Sequence, residues 1–483
     1  MSIDDEQLEI ETVTDGDRAL DLFVDRVGFT RLLAEQLNDP VTGQILYFYG
    51  DGGNGKSLLL KYLRQRICKQ FLPHVWQFRK VQSDAKLAQF IETAPVDTYA
   101  RVPAVLHDFG LVSPFKQPKD SFYGLLLLRK NLAEAASKLN YWLRFPLYDF
   151  ACVWYLHQIG KSLEEIKSLF PLSDVAGGFA TLLDAVTGNV FGAIAKAALD
   201  FVVEDLEEKV TVYLSRITSP AEKIREIQQQ DVDTELIYSL PKLLAQDLNA
   251  AMAQDKAPSR IVLFFDTHEA FWGQQKHESD TLFFAKDEWL RCLLRGLELK
   301  AGIAVVVAGR EVPRWAEAIK PKTDIPAKYL WVLQVGHLAA ADAAVYLQRV
   351  GIEPALHVKL IDDASVAVDE VHPLYLGLGA DTVLQAERQG IALSAADLVS
   401  LPGANPAKVL IERLLKYVDR DIRYAVHALS ACRAFNFNLF KLLGQELDFQ
   451  PTCPKFDLLR EFSFVWRAEQ RGEKWYRIHD LLR

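Results

Sequence analysis

Cysteine pairs, a basic leader, a long apolar run and an excess of positive charge are all missing from this sequence, and each absence removes a class of protein. The five cysteines, Cys68, Cys152, Cys292, Cys432 and Cys453, form no C-x-x-C pair and no His/Cys cluster at zinc-ligand spacing. That speaks against a disulfide framework or a structural zinc site and for a reducing, cytoplasmic setting. The N-terminal MSIDDEQLEIETVTDGD is acidic where a secretory leader is basic and then apolar. The most apolar stretch, Val190 to Val203, carries Lys196 and Asp200 and is shorter than the roughly 18 residues a membrane span needs, so no membrane partner is expected. With 55 Lys and Arg against 64 Asp and Glu, the net charge is −9, whereas a protein that coats nucleic acid or an anionic surface is basic. No repeat of roughly 20–50 residues runs through the chain, which excludes a solenoid.

What is present is a globular mix, 50% hydrophobic and 25% charged over 483 residues, enough for about three domains. Five short apolar runs, Gln44–Tyr49, Val102–Phe109, Ile261–Phe265, Ile303–Ala308 and Tyr329–Val335, read as strands buried on both faces. Helical patterns alternate with them, so an α/β fold with a parallel five-stranded sheet is expected. Between the second and third runs, residues from about 120 to 240 read as consecutive helices, a helical insertion. The expected domains are an acidic leader over 1–19, a nucleotide-binding domain over 20–335 carrying that insertion, a small helical domain over 336–400 and a winged-helix domain over 401–483. The last begins after the linker LPGANPA, where Asn405 suits an N-cap and Pro406 the first helical position. It ends in two β-rich pieces around the turn-forming QRGE.

The chemistry concentrates after the first strand. Gly50-Asp51-Gly52-Gly53-Asn54-Gly55-Lys56-Ser57 fits G-x-x-x-x-G-K-[ST], placed between a strand and a helical pattern, the context the P-loop motif requires. Chance supplies such an octet about once in fifty chains of this length. The glycines let the backbone turn its N–H groups around a phosphate. Lys56, with Leu58 just beyond it, would meet the β- and γ-phosphates, and the Ser57 hydroxyl would ligate Mg²⁺. The third strand ends in Asp266-Thr267-His268-Glu269, so Asp266 is placed to hold Mg²⁺ and Glu269 to orient or deprotonate the attacking water. The fourth ends in Arg310, a guanidinium able to sense the γ-phosphate.

The order of P-loop, strand-tip D-x-x-E, Arg-tipped strand, His-Pro helical unit, winged helix and terminal Ile478-His479-Asp480 resembles the STAND signalling ATPases, the NB-ARC and NACHT relatives. The likeness runs from about Leu20 to the last residue, without the insertion. It implies that His479 reaches the β-phosphate of bound ADP, that Pro373 borders the nucleotide, and that Arg26 lies near the adenine or ribose. His372 stands where the family has another residue, Asp25 where Gly is common, and Ile478 where Met is usual. It also implies an ADP-locked monomer that opens and oligomerises on ATP exchange, with slow regulatory hydrolysis, in signal transduction or defence. One hydrogen bond from His479 to a charged phosphate, about 1.5–3 kcal/mol, shifts a two-state balance roughly 10- to 150-fold.

The family's effector and sensor elements are not found in the sequence, so they are expected on other chains or on a longer protein. A DNA-associated, initiator-like ATPase is the alternative, using its winged helix. Its cations Lys408, Arg413, Lys416, Arg420, Arg423, Arg433 and Lys441 are interleaved with Glu412, Asp419, Asp421, Glu446 and Asp448, and nucleic acid is not the expected partner. A scaffold that binds nucleotide without hydrolysis is the third reading.

Overall fold

The computed structural model describes residues 20–24, 26–40, 43–111, 117–161, 220–254, 257–273, 279–317, 325–398, 406–447, 449–468 and 475–479. The acidic leader, Asp25, the Ala/Val-rich part of the helical insertion, Asn405, the QRGE turn and Asp480 lie outside them.

The five apolar runs form one parallel sheet. Its strands are β1 (Ile45–Tyr49), β4 (Ala104–Asp108), β5 (Ile261–Asp266), β6 (Ile303–Gly309) and β7 (Leu330–Gln334), in the order β4-β5-β6-β1-β7. Every residue of β5 and β6 is buried, as the continuous Val, Ile and Phe content requires of strands covered on both faces. The register sets Asp108 beside Asp266 at the tips of β4 and β5. Two short strands were not anticipated: β2 (Lys69–Phe71) and β3 (Tyr99–Arg101) pair antiparallel. Three residues with one exposed face carry too little periodicity to stand out from a loop. The described part of the insertion is helical, with helices Ser121–Ser137, Pro146–Gln158, Pro220–Gln229 and Ile237–Met252.

The chain divides into two compact units. The first comprises 1–29, 48–63 and 333–483, and the second 30–47 and 64–332. In the first, helices Ala340–Val350, Pro354–Ala364 and Pro373–Arg388 and the small pair β8 (Ser365–Ala367) and β9 (Glu370–Val371) form the helical subdomain. Helix Arg420–Ser430, the bridge Phe435 to Tyr476, helices Phe437–Glu446 and Cys453–Arg460, and the hairpin of β10 (Val465–Ala468) and β11 (Trp475–Ile478) follow in winged-helix order. Helix Pro373–Arg388 is buried on two faces. Leu374 and Leu378, four residues apart, join the winged-helix core with Phe435, Phe456 and Phe464. Leu376, Ala380 and Val383 join the helical-subdomain core with Leu347, Leu356 and Leu360. At 3.6 residues per turn those two sets occupy different stripes of the cylinder, so this helix belongs to both cores. Inside the junction the Ser463 amide donates to Asp381 at 2.6 Å.

Candidate functional site

The phosphate loop belongs to the first unit. Gly50 has φ +157° and would carry a Cβ 2.4 Å from the Val335 carbonyl oxygen, so only glycine lets the two backbones approach. Lys56 is buried, and its Nζ donates to the carbonyls of Gly50 at 2.7 Å and Asp51 at 2.8 Å. The ammonium is thereby held under the loop it was expected to serve. Arg26, itself at φ 68°, is buried and donates to Asn54 O at 3.3 Å and Gly336 O at 2.7 Å. Asn54 Nδ2 donates to Val335 O at 3.1 Å.

The imidazole of His372 meets this loop. Its Nε2 donates to Gly52 O at 3.2 Å, and a Cβ on Gly53, where φ is +89°, would stand 2.6 Å from its Cε1. Its ring stacks on Tyr375 with centroids 4.1 Å apart and has the His337 ring at 5.4 Å. Burial, then the neighbouring His337, pushes the His372 pKa down to about 4; the ring is neutral, with its proton on Nε2. Pro373 follows as the first residue of the helix shared by both cores. His479 follows β11: it is buried, and its amide donates to Phe464 O at 2.8 Å within the winged helix. His372 was not among the expected site residues; its sequence signal was its place before Pro373.

Two buried acceptors beside the loop, Asn54 Oδ1 and His372 Nδ1, have no hydrogen-bond partner among the described residues. Buried polar atoms are seldom left so; phosphate oxygens only accept, so the donors these two need would come from a hydroxyl or amino group of a nucleoside or from water. Gly50, Gly52, Gly53, Gly55, Lys56, Ser57 and Leu58 form a continuous turn into helix Lys56–Tyr62. These residues fit a nucleotide.

The second unit holds the hydrolytic candidates. Asp266 ends β5, is buried, and takes the Thr267 amide on Oδ1 at 2.7 Å. Glu269 Oε1 lies 2.9 Å from Arg310 Nε, so the structure brings these two candidates into an ion pair. Glu269 Oε2 is buried and has no hydrogen-bond partner among the described residues. Asp108, whose Oδ1 takes the Gly110 amide at 2.8 Å, is a neighbour the sequence reading missed; an aspartate closing an apolar run was its signal. Among the described residues no group of three or more His, Cys, Asp or Glu is arranged to hold a metal ion, and no helix is long and apolar enough to cross a membrane.

No protein-family model matches the chain, and no curated protein matches it. Several solved structures align over most of its length, among them the following three. One is Drosophila ORC bound to DNA, at 9% identity and TM-score 0.29 over 96% of this chain and 83% of that one. Another is the Aeropyrum pernix ORC1 protein in complex with DNA, at 11%, TM-score 0.33, over 97% and 92%. The third is Cdc6p from Pyrobaculum aerophilum, at 12%, TM-score 0.30, over 96% and 92%. Likeness at this level carries no argument, so the class rests on the chain's own parts: a parallel sheet, a P-loop leaving its β1 strand, and a winged helix after a helical subdomain. That is a P-loop NTPase fold.

Proposed function

We propose that this chain is an ATP/ADP-controlled switch of the STAND type, with slow regulatory hydrolysis, in which bound nucleotide fixes the posture of the winged helix. One observation carries the reading. Helix Pro373–Arg388 begins at His372, against the Gly52–Gly53 turn, and is packed along its length into the winged-helix core. A change at the phosphate loop therefore acts on the start of a rigid element welded to the C-terminal domain. The latch attributed to His479 by resemblance falls in this reading to His372. Ser57 and Asp266 would hold Mg²⁺ by hard oxygen donors, Lys56 and the loop amides the phosphates, and Arg26 and Pro373 the nucleoside. Glu269 would activate water, with Arg310 beside it. When bound, Mg²⁺ neutralises charge on the β- and γ-phosphates.

Nucleotide extracted from the purified protein, and its mass by light scattering before and after exchange of ADP for ATP, test the switch. Bound adenine nucleotide and a larger species with ATP support it; an unchanged mass with ATP fully loaded rejects the oligomerising form. Turnover of wild type beside Glu269→Gln separates a hydrolase from a scaffold.

The winged-helix order itself favours a second reading, a DNA-associated initiator-like ATPase, and two of the aligned structures are of proteins in complex with DNA. The helix Cys453–Arg460 would be the reading helix by its place before the hairpin. Its Lys455 is paired with Asp421 and its Arg460 with Asp457 at 2.9 Å, so both cations are already neutralised within the domain. A salt-dependent shift of duplex DNA at physiological ionic strength would reverse the order of the two readings.

A further inference from the structure

The turn that leaves β5 is backed by a buried chain of hydrogen bonds that nucleotide binding does not use. Tyr47 of β1 is 1% exposed, and its hydroxyl lies 2.8 Å from His268 Nδ1. His268 Nε2 lies 3.0 Å from Asp287 Oδ2. Asp287 also takes Trp315 Nε1 at 2.7 Å and Arg291 Nε at 3.0 Å. Chemistry fixes the directions at Asp287. Indole and guanidinium only donate, so it is an accepting carboxylate and His268 Nε2 donates to it; the Tyr47 hydroxyl and His268 Nδ1 share the bond at the other end. Burial alone would raise the Asp287 pKa, but the bond and charge of His268, then the charge of Arg291 and the bond from Trp315, hold it below the usual range. Burial, then the acids Glu269, Asp287 and Glu311, pushes Tyr47 well up, which keeps it a donor. β6 leaves room by having no side chain at Gly309, where a Cβ would stand 2.3 Å from the Tyr47 oxygen.

The second observation is strain. Thr267 has φ 57°, a left-handed conformation that is an outlier for a β-branched residue and persists only where its surroundings over-determine it. They do so here. The next residue, His268, is pinned at both ring nitrogens, and the preceding Asp266 caps the Thr267 amide. The product of the turn is Glu269 set against Arg310.

We propose that Tyr47, His268 and Asp287 are positioning residues for hydrolysis: the relay holds the Thr267 turn in its strained form, and the turn presents the Glu269 carboxylate. This rests on the reading of Glu269 as the water-activating group. If it is right, the relay is needed because Thr267 is strained, and relaxing Thr267 should make the relay dispensable.

The test is a double-mutant cycle in the full chain. Tyr47→Phe should lower kcat for ATP about 10-fold with KM within twofold, and in a Thr267→Gly background the same substitution should cost less than threefold. A relay that only adds stability would lower the melting temperature equally in both backgrounds and leave kcat alone. Hydrogen exchange on the nucleotide-free protein gives a readout apart from turnover. The amides of Ala270 and Gly273, which donate to Thr267 O and Glu269 O, should exchange at least 10-fold faster in Tyr47→Phe and less than threefold faster when Thr267→Gly is also present. Unchanged exchange and kcat in Tyr47→Phe, or equal losses in both backgrounds, overturns the proposal. Full turnover by Glu269→Gln instead overturns the assignment of Glu269, while the exchange data still report whether the relay holds the turn.

Discussion

The phosphate loop and the turn after β5 both hold backbone in a form it would not keep unaided, and they do it by opposite means. The loop uses glycine: Gly50 and Gly53 remove the side chain wherever Val335 or His372 comes close. Its polar partners are mostly main-chain carbonyls, taken up by Lys56, Arg26 and Asn54. The turn uses side chains, forcing a threonine into the left-handed region with a buried Tyr47–His268–Asp287–Arg291 network. A glycine loop keeps side chains out of the way, so its backbone can come close to a ligand. A network whose buried groups bond one another is built to hold one geometry, and beside it Glu269 Oε2 has no hydrogen-bond partner among the described residues.

The largest effect that would break this contrast lies in the network. Arg291 is 1% exposed in its side chain and pairs with Asp287, so Arg291→Met leaves a buried carboxylate short of its cation and should cost about 3–5 kcal/mol. Chemical denaturation measures it; a loss under 1 kcal/mol would mean the network is not holding the second unit together. Next comes Lys56→Ala, which removes two bonds to the loop carbonyls and the phosphate-facing charge. ATP affinity by calorimetry should fall at least ~100-fold, equivalent to about 2.7 kcal/mol.

Gly53→Ala should be smaller. It adds a Cβ at φ +89°, 2.6 Å from the His372 ring, and should cost about 1–3 kcal/mol by crowding and strain. Partial recovery in the double variant with His372→Ala, read by melting temperature, would show that the imbalance lies with that ring. The smallest effect sharpens the first unit's side. Burial raises the Asp381 pKa from 3.8 to about 7, above its unfolded value, so its neutral form is the folded one. The stability linked to this group is present below about pH 4 and lost as pH rises through about 7. Asp381→Asn, which can still accept from Ser463, should therefore be stabilised relative to the wild type at pH 8 and not at pH 4. Denaturation midpoints at the two pH values check the sign.

The sheet was legible because β5 and β6 are unbroken apolar runs, and the loop because its octet has fixed spacing. The Asp266–Glu269 turn and Arg310 were legible as charged tips of such runs. Tyr47, His268 and Asp287 were not. They are far apart in sequence, each reads as an ordinary core or surface residue, and only the β1–β6–β5 order brings them within 3.0 Å of one another in turn. His372 was not legible either: its bond to Gly52 O at 3.2 Å joins residues 320 positions apart, and its one sequence signal was its place before Pro373.

Val335 and Gly336 form the start of the connector from β7 toward the helical subdomain, and they are sewn to the phosphate loop itself. Val335 N donates to Tyr49 O at 2.7 Å, Val335 O takes Asn54 Nδ2 at 3.1 Å, and Gly336 O takes Arg26 at 2.7 Å. Such a dipeptide is a fulcrum rather than a hinge. Any swing of the C-terminal parts must pivot beyond Gly336, or else tear stitches out of the loop on which the nucleotide would rest.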